Sequence, residues 1–423
     1  MPVGSLERQE EAVDNKKNYL VRNYVLNTAD GALFNMAMGM VPLNTVLTYF
    51  ISGYVSQKWL IGLLSFINIL LMFSPQILVS KKLERLKHYK PFLLATGLGL
   101  RLMWLLLGLD VILLADRNPV LFIILFYVIY SLIGLFSAFT SITWLNFIVK
   151  IIPNEYRGRF LGIRFTICGI FESLGALIMG IIIKRFDYPT NYGVLFITVF
   201  VLTLLSLWIL SFSKEHESRK ESLREEERSY IQKMASVLRK DKNFTIYLVT
   251  VALIGSFGKM AFAFQIVFAK EFLGIEEQQV SYATFILLAS QSVGYLIWGI
   301  LADKHGMKLT LELSALIFIP AIILTYLMSN IFVFFVSLVL FGIAQSARNS
   351  NENNFAINLC REEGKQPMYI GLRNLLMGPI FALNPVFAGL IYDFFGYNAL
   401  FIISAVCMAA GLIIMTKFVT EHR

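Results

Sequence analysis

Charge is what this 423-residue sequence is most short of: Asp, Glu, Lys and Arg together make up 15% of it, where a water-soluble domain carries about 25%. With 57% hydrophobic residues and a mean hydropathy of +0.66, the composition excludes an ordinary soluble globular chain. Lipid has to be its main solvent. Cysteine is scarce too. Cys168, Cys360 and Cys407 each fall in or beside an apolar run with no CxxC spacing, which excludes a disulfide framework or a cysteine metal site. His88, His216, His305 and His422 sit in loops and hydrophilic segments and form no ligand cluster, so no metal and no cofactor is expected. The sequence has no Gly-x-x-x-x-Gly-Lys-[Ser/Thr] loop, which argues against direct ATP-driven pumping. It also has no His-Glu-x-x-His motif and no nucleophile and base at helical spacing, which argues against an enzyme. The opening residues, with Glu10, Glu11 and Asp14 among Lys16, Lys17 and Arg22, lack the order of a cleavable signal.

What is abundant is long apolar runs. A membrane helix needs about 20 such residues, and runs bounded by charges and turn residues occur at 24–52, 57–80, 91–114, 119–147, 160–184, 193–213, 244–270, 279–302, 308–328, 331–350, 370–393 and 397–417. The expected fold class is an all-α membrane protein with twelve transmembrane helices in two six-helix bundles. The expected organisation is a cytoplasmic segment 1–23, a first bundle 24–213, a linker 214–243, a second bundle 244–417 and a tail 418–423. The linker is too polar to span and rich enough in Glu and Arg to form an amphipathic surface helix.

The net charge of +9 follows topology and is not a nucleic-acid footprint. Of 37 basic residues, Arg101, Arg164, Lys259 and Arg373 lie inside spans, and Lys58, Arg117, Lys184, Arg185 and Lys270 lie in the odd-numbered connections. All the others fall on the opposite face, which the positive-inside rule makes cytoplasmic. Both termini are therefore expected there, in the plasma membrane.

The two halves repeat each other. The stretch NFIVKIIPNEYRGRFLGIR (146–164) aligns with NFAINLCREEGKQPMYIGLR (354–373) with one extra residue, matching Gly162 and Arg164 to Gly371 and Arg373. Gly180 then matches Gly389. Transporters built from two related bundles carry such repeats.

The connection after span 8 reads Gly299-Ile-Leu-Ala-Asp303-Lys304-His-Gly306-Met-Lys308, and the one after span 4 reads Pro153-Asn-Glu-Tyr-Arg157-Gly158-Arg159. Together these resemble the signature loop and the Pro-x-x-x-Arg-Gly element of the major facilitator superfamily, and the resemblance covers nearly the whole chain. It implies an alternating-access carrier whose signature-loop acid meets the start of the helix three further on. Asp303 is thus expected to meet Arg373 and, by the repeat, Glu84 to meet Arg164. The first-half loop, Ser80 to Lys90, lacks both glycines, so for Glu84 an ordinary solvated loop charge stands as the alternative.

Ionisable groups inside a bilayer are costly, at about 2.5–3.5 kcal/mol each on insertion scales, and so mark function or pairing. Glu172 is the expected proton-coupling acid, with Asp30 either a second such acid or a cap where span 1 enters the membrane. Lys259, beside Gly258, is placed to meet an anionic group of a substrate or to pair with Glu172, whereas Arg101 reads as a structural tie. Span 10 ends in the polar run Gln345, Arg348, Asn349, Asn351, Glu352. Either it lines an inner vestibule, with Arg348 and Glu352 at ion-pair spacing, or the helix ends near Ala347 and the run is loop. Asn35, Asn44, Gln265, Gln291, Asn374 and Asn384 lie on spans that line the cavity in the superfamily, with interhelical bonding as the alternative. The expected function is proton-coupled secondary transport of a small molecule by a monomer in the bilayer, binding no nucleic acid. A hydrophilic metabolite and an amphipathic drug both remain open as substrate, and a non-transporting sensor or assembly factor on the same fold is the competing class.

Overall fold

The computed structural model describes residues 4–73, 82–83, 86–215, 237–360 and 366–421. Helix α1 runs Gly4–Gly39 and resumes as Leu43–Leu47 and Thr48–Ile51. It is followed by α2 Lys58–Phe73, α3 Lys90–Leu114, α4 Pro119–Ile151, α5 Asn154–Arg185 and α6 Thr190–Ser211. Then come α7 within Lys242–Leu273, α8 Glu277–His305, α9 Met307–Tyr326 and α10 Ile331–Asn358. The final stretch Gln366–Phe418 is two helices, α11 (366–395) and α12 (397–418), meeting at Gly396 with φ 75°. The described residues thus hold twelve apolar helices and no strand. Their outer faces carry large exposed apolar side chains such as Phe332, Phe394, Phe395 and Val120, where a soluble protein would be polar. The chain is a multi-pass membrane protein.

Breaks in the helices have local causes. Pro42 has no N–H to give and crowds the carbonyl four residues back, so α1 stops and restarts in a wide turn whose Thr48 hydroxyl donates to the Leu43 carbonyl at 2.8 Å. Helix α7 breaks after Gly255 into the short turn Phe257–Lys259 and again at Phe264, before ending on left-handed Gly274. Gly306, at φ 92°, makes the turn from α8 to α9 that a side chain would strain.

Residues 1–40 with 71–220 form one compact unit, and 41–70 with 221–423 form the other. These units do not follow the sequence boundaries 24–213 and 244–417, because residues 41–70 pack within the second. There the Tyr49 hydroxyl donates to the Ile275 carbonyl at 3.0 Å, and Thr284 donates to Thr45 at 2.9 Å. Asp393 accepts from the Lys58 and Trp59 amides at 2.9 and 3.1 Å, satisfying free donors at the start of α2.

Each unit is closed at its base by the same device. In the first, the Asn23 amide donates to the Lys214 carbonyl and accepts from the Lys214 N–H, both at 2.9 Å. Glu215 then accepts from the Tyr89 and Lys90 amides at 2.7 and 2.9 Å, at the positive end of α3, and from Lys150 at 2.8 Å. In the second unit, Asn243 does likewise with Thr420 at 2.8 and 2.9 Å, and Glu421 accepts from the Met307 and Lys308 amides at 2.8 and 3.3 Å. Lys214 and Glu215, read in the sequence as linker, and Thr420 and Glu421, read as tail, therefore belong to the packed bundles. The rest of the expected surface helix lies mostly outside the described residues, as do Glu84 and its expected contact with Arg164.

Candidate functional site

Helix ends differ from the sequence boundaries in ways that move the charged residues. Helix α5 starts at Asn154, six residues before the apolar run, so Glu172 lies eighteen residues along it, about 27 Å at 1.5 Å per residue. Its position depends on glycines. A Cβ on Gly39 would run into the Glu172 carbonyl, and one on Gly175 into that of Met36, so α1 and α5 meet backbone to backbone. The half-buried Glu172 carboxylate has no hydrogen-bond or ion-pair partner among the described residues.

Asp30 is not a cap, because α1 began 26 residues earlier, at Gly4. It is 5% exposed, accepts from Ser206 at 2.6 Å, and faces Arg164 at 3.8 Å. Arg164 also donates to the Asn27 carbonyl at 3.1 Å and lies over the Trp144 ring at 4.2 Å. Gly31 makes room for it, since a Cβ there would sit 2.6 Å from the guanidinium. Arg101 donates to the Thr203 carbonyl at 3.0 Å, the tie between α3 and α6 that the sequence suggested. Asn35 donates back to the Gly31 carbonyl in its own helix at 2.8 Å and bonds the Cys168 side chain on α5.

In the second unit α10 continues to Asn358, so the polar run is helix and not loop. Arg348, Asn351 and Glu352 are buried. Glu352 takes Arg348 at 3.1 Å and Arg373 at 2.8 Å, and its backbone carbonyl accepts from the Tyr247 hydroxyl at 2.6 Å. Arg373, expected to meet Asp303, is thus held by Glu352 and by its neighbour Asn374 at 3.0 Å. Asp303 and Lys304 are solvent-exposed, and open space surrounds Gly299. Lys308 pairs with Glu312 at 3.3 Å. The physical reason is burial: an arginine inside the bundle is satisfied by the acid beside it at that depth, which Asp303 on the exposed turn is not.

The same unit holds a cavity of about 410 Å³, with Lys259, Gln291, Gln345, Asn349 and Asn44 on its walls and Phe262 stacked on Phe341. The α7 break sets Lys259 here, donating to Gln345 at 3.1 Å, and the chain of polar contacts continues through Asn349 to Tyr295 at 2.7 and 3.0 Å. Two further candidates make contacts between helices. Gln265 donates to Thr325 and Ser337 at 2.7 and 2.8 Å, and Asn384 donates at 3.2 Å to the Ser256 carbonyl at the α7 break, which also accepts from the Lys259 amide at 2.9 Å. A larger open recess, about 730 Å³, lies over the Glu215 clamp and is walled by Arg22, His88 and Lys90.

Sequence reading missed several of these residues. The clamp could have been found in the matched endings Phe212-Ser-Lys-Glu215 and Phe418-Val-Thr-Glu421. Trp144 carries no signal of its own as the partner of Arg164. Asp110 on α3, buried with both carboxylate oxygens unpartnered among the described residues, was overlooked in the run that also carries Arg101.

Glu215 lies outside the spans. Burial alone would raise its pKa, but Lys150 and the Tyr89 and Lys90 amides outweigh that and hold the carboxyl below its usual range.

Apolar helices in a repeated arrangement, with a polar cavity and buried ion pairs inside them, define the class as a polytopic carrier-type membrane protein. The profile of the Major Facilitator Superfamily matches residues 24–269 and 248–423, and the chain belongs to that family of transporters. Among solved structures it is similar to a mutant of the nucleoside transporter NupG, at 12% identity over 94% of this chain and 100% of that one, with a TM-score of 0.74. It is also similar to a D-xylose-proton symporter, at 14% identity over 95% and 98% with a TM-score of 0.70. A third similar structure is a bacterial homologue of the human lysosomal transporter Spinster, inward-facing and unoccupied, at 14% identity over 95% of each chain with a TM-score of 0.65. Comparison with curated protein sequences gives no match.

Proposed function

We propose that this chain is a proton-coupled secondary carrier, moving a small hydrophilic molecule across the plasma membrane by alternating access, with both termini cytoplasmic and the monomer as working unit. The observation that carries the reading is the cavity of about 410 Å³ with a lysine and several amides on its walls, inside helices whose outer faces are apolar. Polar groups at membrane depth are tolerated where they face protein or water, and a cavity of that volume suits a small metabolite. Its amide-rich wall favours a hydrophilic solute over an amphipathic drug. Proton coupling is assigned to Glu172, an acid inside α5 with no protein partner among the described residues, and Asp30 is assigned to hold Arg164. Similarity to a proton symporter is in keeping with this.

The test is flux into proteoliposomes under an imposed proton gradient. Glu172→Gln is expected to lose gradient-driven accumulation while keeping solute exchange. Wild-type proton dependence in that variant removes the assignment, and absence of flux for every solute tried removes the carrier reading.

A further inference from the structure

We infer that the second unit's cavity is built for an oxyanion: it binds a small organic carboxylate or phosphate whose charged group is taken by Lys259, in the field of the buried arginines next to it. This rests on the carrier reading and adds the substrate class.

Lys259 lies within electrostatic reach of Arg348, Arg373 and Glu352, so this part of the unit holds three cations and one acid. Glu352 is already engaged by both arginines, at 3.1 and 2.8 Å. The only partner of Lys259 among the described residues is the neutral side-chain carbonyl of Gln345. No carboxylate is among the residues lining the cavity. Arg348 gives the second, independent observation. Its side chain is 2% exposed, yet Nε and Nη1 have no acceptor among the described residues, and Nε of Arg373 has none either. Buried charges are normally paired, and this group has an unbalanced excess of positive charge.

A bound anion supplies the balance. Lysine is a compact cation suited to carboxylate and phosphate oxygens, and a hydrogen bond between charged partners is stronger than one between neutral groups. Gln291, Gln345 and Asn349 add amide donors for the rest of the molecule, and the Phe262–Phe341 stack offers a carbon skeleton an apolar wall. A cationic solute would meet a net positive charge here.

The experiment uses the purified full-length protein in detergent and follows thermal unfolding with matched solutes: benzoate against benzyl alcohol, gluconate against glucose, and ribose 5-phosphate against ribose. The oxyanion of at least one pair is expected to raise the melting temperature while its neutral partner does not, and added sodium chloride should weaken the effect. Comparison across the pairs separates carboxylate from phosphate recognition. Lys259→Gln should weaken apparent affinity about tenfold or more, and Lys259→Arg, as the charge-keeping control that also checks folding, should retain binding. The inference is overturned if neutral members stabilise equally, if no oxyanion stabilises, or if Lys259→Gln responds like wild type. Flux of a neutral solute without any response to oxyanions overturns the substrate class and leaves the carrier. Oxyanion binding without flux in proteoliposomes overturns the carrier and leaves the binding site.

Discussion

Arg373 and Glu352 lie 2.8 Å apart, at the position where the first half of the repeat sets Arg164 against the Trp144 ring at 4.2 Å. The alignment of Asn146 with Asn354 makes Trp144 and Glu352 equivalent, so one arginine site has been solved twice, by an aromatic face and by a carboxylate. The first half recovers its acid from α1, as Asp30. Removing either partner should therefore have unequal effects. Glu352→Gln leaves Arg348 and Arg373 without their acid and should cost about 3–5 kcal/mol, the usual result of breaking a buried ion pair. Trp144→Leu leaves Asp30 in place and should lose about 0.5–2 kcal/mol of cation–π attraction. Unfolding of both variants in one detergent would compare them, and a Trp144 effect as large as that of Glu352 would contradict the scheme.

Glu215 links stability to pH. Its carboxyl is depressed in the folded protein by Lys150 and the α3 amides despite its burial, so the unfolded chain binds the proton more readily. The contribution is then fully present above the ordinary carboxylate pKa of 4.5 and is lost as pH falls through the lower folded value. Melting temperatures recorded from neutral pH downward should show wild type losing stability relative to Glu215→Gln in acid. Parallel curves would mean that the clamp makes no titrating contribution.

The glycine contact between α1 and α5 allows no extra atom. Gly39→Ala would force its Cβ against the Glu172 carbonyl, and Gly175→Ala would do the same at Met36. Each should destabilise by about 1–3 kcal/mol. The double variant should cost less than their sum, because a single separation of the helices relieves both clashes. Full additivity in denaturant unfolding would show the two sites to be independent.

Asp393 gives α2 a cap from a distant part of the chain, through the Lys58 and Trp59 amides. Asp393→Ala should cost about 1 kcal/mol, as loss of a helix cap does. Amide exchange at residues 58 and 59 should quicken in that variant and stay slow in Asp393→Asn, which keeps an acceptor. Equal protection in all three would remove the cap from the account.

The sequence displayed the twelve helices because each needs a long apolar run, and the repeat because Gly-x-Arg recurs in the early turns of α5 and α11. Helix ends were less legible. Polar residues continue α10 to Asn358 and α5 back to Asn154, where protein contacts, not hydropathy, decide. Partners were the least legible of all. A charged residue's type says that it needs company, and Arg373 shows that the choice between Asp303 and Glu352 is made by depth and helix register, which a motif does not encode. The same holds for Gln265 and Asn384, whose composition suited a solute as well as it suited Thr325, Ser337 or a broken helix.

The paired asparagine and glutamate clamps make a hoop of each bundle, fastening the end of its last helix to its first helix and to the beginning of its third. The end of each last helix is thereby held by side chains and backbone amides of its own bundle, at both Glu215 and Glu421.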